Sequence, residues 1–585
     1  MEKNSSAGFM PRIPPACEGI QVNFCKNPGC ENYGIPAAQT TGRGAQRDRY
    51  AVVSAGRQYP VLKCHACGEY PPLKSNQGIA EERKRLGVYL SVPPEPSCPD
   101  FDCVNHGISV SRGSPHYRRY GTTRSGSKRY RCNTCTKTFS VGDATVGQKQ
   151  PHKNRLIFQL LMNRSPFRRL CEIADIAPGT LYPKLDFLHR QCLAFVGHRE
   201  RRLLEGFSIP RLYIGVDRQD YVVNWTQRED KRNVQLTAVG SADNVTRYVF
   251  GMHLNFDPDV AADVIEQDAA TLGDGELQMP FRRHARLWLA SDYAAAQHRA
   301  KSALSSADGT LNGAVAARYK DAESRSDVEV FEEPGRTTQL PKSGMQVHAE
   351  YTLYGHCFLL RDLSMGAEKV RLFLDQDSGM RAAVLGAFAE RVTERSADAF
   401  YVRINKDMTV DDRKHALKRS RERFHALEEE RPDLDRQALR LLLIKEALAD
   451  MSVIGHWKDR WLTHPFPSMS EPEKAVCYLT DHDDYDEDHL ARLYNKASLH
   501  AIDTFFMQVR RRLSLLERPI ATASNNRRVW HGYSAYNPRS IVQLLEMFRV
   551  FYNYVLVGMD KQTPAMRLGL AKGRVSLEDI VYFQP

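Results

Sequence analysis

Eight of the thirteen cysteines form two matching sets, and these sets constrain the fold more than any other feature of the chain. The first set lies in CKNPGC and CHAC, and the second lies in CPDFDC and CNTC. Both positions of the first pair recur 73 residues later, and the text after that pair repeats as CENYGIP and CVNHGIS. The repetition indicates an internal duplication of one small module.

Two close cysteine pairs separated by a few tens of residues can place four thiolates tetrahedrally around Zn²⁺. The metal then replaces a core that would be too small to fold alone. The chain begins without an apolar signal segment, so we expect a cytoplasmic protein with reduced thiols rather than disulfides. We therefore predict two zinc ribbons, at 18–75 and 92–145. Their ligands would be Cys25, Cys30, Cys64, Cys67, Cys98, Cys103, Cys132 and Cys135.

Positive charge is concentrated in the N-terminal third of the chain. The net charge is +12, and Ser111 to Leu170 contains fourteen Lys or Arg but one acid, Asp143. This favours a polyanionic partner such as nucleic acid. In YRCNTCTKTFS, Arg131 and Lys137 flank the second metal knuckle, where we expect contacts with DNA phosphates, although solvated charge fits the same pattern. Mean hydropathy is −0.49, and no apolar run is long enough to span a bilayer.

A helix-turn-helix is predicted at 150–200. Apolar residues recur at helical spacing through 154–194, and IAPGT separates a second helix from a third. Thr180 is the expected N-cap of the third helix, with Pro183 in its first turn. Such a helix would enter the major groove and place Thr180, Tyr182 and Lys184 near DNA. Short helical triplets of this kind also occur in proteins that do not bind DNA.

From residue 208 the pattern changes to strands. RLYIGVD ends in Asp217, two further strands follow at 234–243 and 247–256, and KVRLFLDQDSG precedes a helix and another strand. Three strands, a helix and a strand–helix–strand unit are the order of an RNase H-like domain. This order would present Asp217 and Asp375 at strand ends, while a later helix would add Asp503. Three carboxylates can hold two Mg²⁺ or Mn²⁺ ions on one phosphate.

Two of these three acids have alternatives. The second acid could also be Asp292 or Asp377, and Glu517 could replace Asp503 as the third. In HAIDTFFMQVRRR, Asp503 and Arg510 lie seven residues apart and therefore share a helix face. The pair suits either a metal ligand beside a phosphate contact or a structural salt bridge. The helical stretch 405–495 is expected as an insertion that contacts DNA or a second subunit, or serves as a spacer.

The chain resembles bacterial insertion-sequence transposases of the Asp-Asp-Glu/Asp class. The resemblance lies in YRCNTCTKTFS, the helix-turn-helix, YIGVD and the tail FRVFYNYVLVGMDKQTPAMRLGL at 548–570. In that class a Lys or Arg follows the third acid by seven residues, as Arg510 follows Asp503. The third acid is usually Glu, so Asp503 is a departure from the pattern.

The resemblance implies a multidomain α/β protein that binds double-stranded DNA at terminal repeats, cleaves it and transfers the new end to target DNA. The catalytic core would occupy 208–404 and 496–585, on either side of the insertion. Arg510, Arg511 and Arg512 would neutralise DNA phosphates, and two DNA ends would require a dimer or higher oligomer in the bacterial nucleoid. The alternatives are an inactive, domesticated DNA-binding regulator and a metal-dependent nuclease without strand transfer.

Overall fold

The computed structural model describes the chain with several gaps. The described residues are 11–39, 48–53, 59–92, 95–124, 127–142, 144–145, 147–224, 233–297, 313, 344–455, 458–517, 520–521, 529–530 and 537–584. They form two compact units. The first comprises Met1–Leu86, Leu203–Arg510 and Arg518–Val542, and the second comprises Gly87–Arg202, Arg511–Glu517 and Gln543–Pro585.

The strands are numbered β1 to β17 in chain order. They are β1 Tyr50–Val53, β2 Val61–Cys64, β3 Tyr117–Thr122, β4 Lys128–Cys132, β5 Thr138–Val141, β6 Ile209–Asn224, β7 Asn233–Asp243, β8 Val249–Leu254, β9 Phe256–Asp257, β10 Met345–Gln346, β11 Ala367–Asp375, β12 Ala397–Ile404, β13 Ser452–Ile454, β14 Asp459–Thr463, β15 Lys474–Tyr478, β16 Ile520–Ala521 and β17 Val529–Trp530. In the first unit, eight of these strands form one mixed sheet in the order β13-β14-β15-β12-β11-β6-β7-β8.

The middle of this sheet is parallel and its two sides are antiparallel. β11 pairs in parallel with β6 and with β12, whereas β7 pairs antiparallel with β6 and β8, and β15 pairs antiparallel with β12. Most side chains of β11 and β12 are buried. Such nearly continuous apolar strands are typical of a sheet covered on both faces.

The α-helices supply that cover and the frame of the second unit. They are Asn76–Gly87, Asn154–Leu161, Phe167–Ala174, Pro178–Leu204, Ala262–Leu272, Ala290–Gln297, Ala349–Leu363, Ser378–Ala387, Ala389–Thr393, Val410–Glu430, Arg436–Ala449, Glu487–Lys496, His500–Arg512, Pro538–Tyr554, Pro564–Leu568 and Leu577–Val581. The helix Ala349–Leu363 is buried along most of its length. No helix of the described residues is both long enough and apolar enough to cross a membrane.

The stretch predicted as a helical insertion is only partly helical. Two helices, Val410–Glu430 and Arg436–Ala449, precede β13, β14 and β15. β15 pairs with β12, so this segment widens the main sheet instead of standing apart from it. The prediction missed these strands because they are only three to five residues long and lie between strongly helical segments.

The second unit contains the second ribbon, the three predicted helices and the C-terminal tail. The tail had been assigned to the catalytic core, but it packs here through aromatic contacts: the ring centroids of Phe158 and Phe551 are 6.2 Å apart, and those of Phe195 and Tyr554 are 5.0 Å apart. Buried Arg549 donates to Glu200 over 2.6 Å. The long helix Pro178–Leu204 therefore shares its core with the tail.

Candidate active site and metal centres

Each predicted cysteine set is gathered into one cluster. The four sulfur atoms of each set lie within 4.8 Å of one another. The Sγ–Sγ distances are 3.5 Å for Cys25 and Cys67, and 3.3 Å for Cys98 and Cys135. Tetrahedral zinc with Zn–S bonds of about 2.3 Å requires sulfur separations of about 3.8 Å. The geometry is consistent with two structural Zn²⁺ sites.

A tyrosine and an asparagine support each cluster in the same way. In the first ribbon the Tyr50 hydroxyl accepts from the Cys25 amide over 3.1 Å and lies 2.7 Å from the carbonyl oxygen of Asn32. The Asn32 side chain donates to the sulfur of Cys64 over 3.2 Å. Amide donors of this kind stabilise thiolate ligands.

The second ribbon repeats these contacts. The Tyr117 hydroxyl accepts from the Cys98 amide over 2.9 Å and lies 2.6 Å from the carbonyl oxygen of Asn105, whose side chain donates to the sulfur of Cys132 over 3.2 Å. The repeated text around Asn32 and Asn105 was visible in the sequence, but the roles of the two tyrosines were not.

The register of the main sheet brings two of the three predicted acids together. Leu374 pairs with Val216 between the parallel strands β11 and β6. Asp375 and Asp217 each follow by one residue, so they occupy neighbouring positions on adjacent strands. Asp217 is buried, and its Oδ1 accepts from the Arg218 amide over 2.7 Å.

The helix His500–Arg512 crosses the sheet face that carries Asp217. Gly240 pairs with Asp217 across β6 and β7, and paired residues of antiparallel strands point to the same face. A Cβ atom at Gly240 would lie 2.8 Å from Cδ1 of Ile502, and one at Gly215 would lie 3.5 Å from its Cγ2. The two glycines therefore let the helix approach the sheet closely.

The same helix carries Asp503 into this acidic group. Burial raises the pKa of Asp503 to about 6; the Lys406 ammonium opposes this shift, whereas the charges of Glu471 and Asp375 add to it. The pKa of Asp217 is raised well above its usual range by burial and then by Asp375. The three carboxylates are close enough to interact electrostatically. They do not form one of the groups of described residues whose ligand atoms all lie within 4.8 Å of one another.

Two residues of this site were missed from the sequence. Lys406 follows β12, and its Nζ lies 4.0 Å from Oδ2 of Asp217. Glu471 accepts from the Ser498 hydroxyl over 2.7 Å and from the Leu499 amide over 2.9 Å, at the start of the helix with Asp503. Neither residue belongs to a local motif, so only the folded chain reveals them.

The alternative second acids are engaged in other contacts. Asp377 caps the helix Ser378–Ala387 by accepting from the Met380 amide over 2.8 Å, and it pairs with Arg218 over 2.7 Å. Buried Asp292 pairs with Arg282 over 2.7 Å and accepts from the Leu289 amide. Both carboxylates therefore serve local structure, which favours Asp375 as the second acid.

The alternative third acid and two of the three arginines belong to the second unit. Glu517 pairs with Arg164 there. The Arg512 side chain donates to Asn163 over 3.1 Å, whereas Arg511 is exposed. Arg510 lies in the first unit and its charge lowers the pKa of Asp503, as expected for residues seven apart on one helix face.

The predicted DNA-facing helix differs in detail from the expectation. It begins at Pro178, so Thr180 lies in the first turn and is not the N-cap, and Pro183 lies inside the helix. Tyr182 is 55% exposed. Lys184 is buried and donates to the carbonyl oxygen of Lys149 over 2.7 Å, so its ammonium does not fit the expected DNA contact.

Arg131 and Lys137 lie on the second ribbon as predicted. The guanidinium groups of Arg129 and Arg131 lie 5.6 and 5.8 Å from the ring centroid of Tyr120. Lys137 pairs with Asp100 over 3.0 Å and remains 58% exposed. The three-stranded sheet β3-β4-β5 thus presents cations and an aromatic ring on its surface.

Comparison with other proteins gives no relative of this chain. No protein-family model, no curated protein and no solved structure matches it.

Proposed function

We propose that this protein is a DNA transposase that binds the ends of a mobile element and performs metal-dependent strand cleavage and strand transfer. The observation that carries the proposal is the group of Asp217, Asp375 and Asp503, which two parallel strands and one crossing helix bring together. The strand order β8-β7-β6-β11-β12 supports an RNase H-like domain, with β6 and β11 as its first and fourth strands.

The chemistry of the donor set suits a hard divalent cation. Carboxylate oxygens are the ligands that Mg²⁺ and Mn²⁺ prefer. Burial, and after it the charge of neighbouring carboxylates, raises the pKa values of Asp217 and Asp503. When bound, two such ions activate an attacking oxygen and stabilise the leaving oxygen of a phosphodiester. Asp217, Asp375 and Asp503 would hold them.

The protein's own residues would position the DNA. Arg510 lies on the same helix face as Asp503 and, in this proposal, would neutralise a phosphate beside the acids. Arg129, Arg131 and Lys137 on the second ribbon, and Tyr182 on the long helix, supply basic and aromatic side chains suited to phosphate and base contacts. Because two element ends must be joined, the proposal includes a dimer or higher oligomer on DNA.

The test is cleavage of DNA taken from both flanks of the protein's own gene. Zinc-loaded protein would be incubated with labelled duplex and Mg²⁺, Mn²⁺ or EDTA. Metal-dependent nicking at a repeat boundary, followed by joining to a second duplex, is expected for the wild type. Asp217→Asn, Asp375→Asn and Asp503→Asn should abolish both steps while DNA binding persists.

Asp377→Asn is the matched control because asparagine caps a helix as well as aspartate does. It should keep activity, and so should Glu517→Gln. Specific binding without cleavage under any metal would contradict the proposal and favour a regulator. Metal-dependent cleavage without strand joining would favour a nuclease.

A further inference from the structure

Hydrogen bonds fix the backbone around Lys406, whereas the Lys406 side chain is largely exposed to solvent. The neighbouring Asn405 donates from its amide to the Glu473 carbonyl over 3.0 Å and from its side chain to the Glu473 carboxylate over 2.9 Å. The Lys406 carbonyl accepts from Arg413 over 3.0 Å. The Lys406 side chain is 60% exposed. The main chain is therefore fixed at this point, and the long stem can still change its direction.

The contact of Lys406 with the acids is electrostatic and weak. Its Nζ lies 4.0 Å from Oδ2 of Asp217, which is longer than a hydrogen bond. Its charge also acts on Asp375 and Asp503. Because the Lys406 side chain is 60% exposed, water can replace Asp217 as the partner of its ammonium.

A divalent cation held by the carboxylate of Asp217 would lie close to the Lys406 ammonium. The Lys406 ammonium lies 4.0 Å from Oδ2 of Asp217, and Oδ1 accepts from the Arg218 amide. Positive charges repel one another at such distances. Metal bound at Oδ2 would therefore require the ammonium to move away along its exposed stem.

We propose that Lys406 is a built-in counter-cation that occupies the Asp217 side of the acidic group and competes there with the divalent metal. The inference rests on the proposed function because it takes the three aspartates as the metal site. Because of this competition, the three aspartates would bind the divalent metal only at a higher metal concentration than they would require without Lys406.

The experiment is a Mn²⁺ titration of the zinc-loaded full-length protein, in which the paramagnetic resonance signal of unbound Mn²⁺ is followed. Lys406→Met removes the charge but keeps an apolar stem, and it should bind Mn²⁺ about fivefold more tightly than the wild type. Lys406→Arg keeps the charge and should bind like the wild type. Lys418→Met is the control for net charge, because Lys418 is equally charged, highly exposed and paired with Glu422 instead.

Asp217→Asn separates this inference from the proposed function. If Asp217→Asn weakens Mn²⁺ binding and Lys406→Met does not tighten it, the proposed competition by Lys406 is wrong, but the proposed metal site at the aspartates is retained. If Asp217→Asn binds Mn²⁺ like the wild type, the metal site itself is overturned, and the counter-cation with it. If Lys406→Met and Lys418→Met tighten Mn²⁺ binding equally, the change in net charge explains the effect, and the inference about Lys406 is wrong.

Discussion

In both zinc ribbons a tyrosine begins the first strand and pairs in register with the third metal-binding cysteine, at the end of the second strand: Tyr50 with Cys64, and Tyr117 with Cys132. Between these two anchors the side chains differ. The first ribbon has YAVV and VLKC, whereas the second has YRRY and RYRC at the same positions. Apolar residues of one copy are arginines and tyrosines in the other.

The burial of the two copies follows this difference. Val61 and Leu62 are buried in the first ribbon, whereas Arg129 and Tyr130 at the equivalent positions are only partly buried. The first ribbon also packs into the unit that contains the main sheet, where the Tyr33 hydroxyl donates to the Leu385 carbonyl over 2.9 Å. One copy has become part of a core, and the other has kept a polar surface.

The residue two positions after the fourth cysteine shows the same divergence. Glu69 is fully buried, accepts from the Lys26 amide and pairs with Arg381 over 2.7 Å. Its counterpart Lys137 is exposed and pairs with Asp100. Because the tyrosine and four cysteines, in a geometry consistent with bound Zn²⁺, anchor each module, the strand faces could diverge without loss of the fold.

The largest expected effect is on folding, when one cysteine cluster at a time loses a ligand. Binding of a structural zinc contributes on the order of 10 kcal/mol, so loss of a ligand should unfold its own module. Cys64→Ser should make the first unit sensitive to protease, whereas Cys132→Ser should leave that unit resistant and expose only the second ribbon. Zinc analysis and mass spectrometry of limited digests measure this. Equal sensitivity of the first unit in both variants would contradict the division of roles.

The next effect tests the buried ion pair of the first ribbon. Glu69→Gln leaves Arg381 without its counter-charge in a buried place, which should lower the free energy of unfolding by about 3 kcal/mol. Lys137→Gln is the matched change in the second ribbon and should leave the melting temperature unchanged, since the pair of Lys137 with Asp100 lies at the surface. Thermal unfolding of the two variants measures the difference, and similar losses in both would show that the two positions are equally structural.

A smaller effect is expected in DNA binding. Arg129→Gln combined with Arg131→Gln removes two cations that contact phosphates in the proposed complex. The affinity should fall, and the slope of log affinity against log salt should decrease by about 1.8. Lys63→Gln changes the residue equivalent to Arg131 in the first ribbon and should alter neither quantity. If Lys63→Gln changes DNA affinity and its salt dependence as much as the double variant does, both ribbons contact DNA.

Predictions from local chemistry agree with the structure better than predictions that depend on packing. Cysteine spacing alone located both clusters, and the strand that ends in Asp375 could be read from a short apolar run. The strand predicted to end at Asp217 instead continues to Asn224, because the polar residues after Asp217 still pair with β7. The N-cap position of Thr180 was wrong because Pro178, favoured in the first turn, starts the helix earlier. The burial of Lys184 and the places of Lys406 and Glu471 depend on residues far away in the sequence, which no local pattern encodes.

The smallest expected effect concerns the feature that the two ribbons share. Tyr50→Phe and Tyr117→Phe each remove the hydroxyl that accepts from a cysteine amide beside the metal. Loss of such a hydrogen bond should cost about 1 kcal/mol and speed zinc release from the altered ribbon by about fivefold. A coloured chelator would follow release, with the untouched ribbon of each variant as its internal control. If both hydroxyls support the metal equally, the two rates rise by the same factor, although one ribbon lies in a core and the other at a surface. A much larger rise for Tyr50→Phe would mean that packing around the first ribbon, and not the shared hydrogen bond, sets how firmly its metal is held.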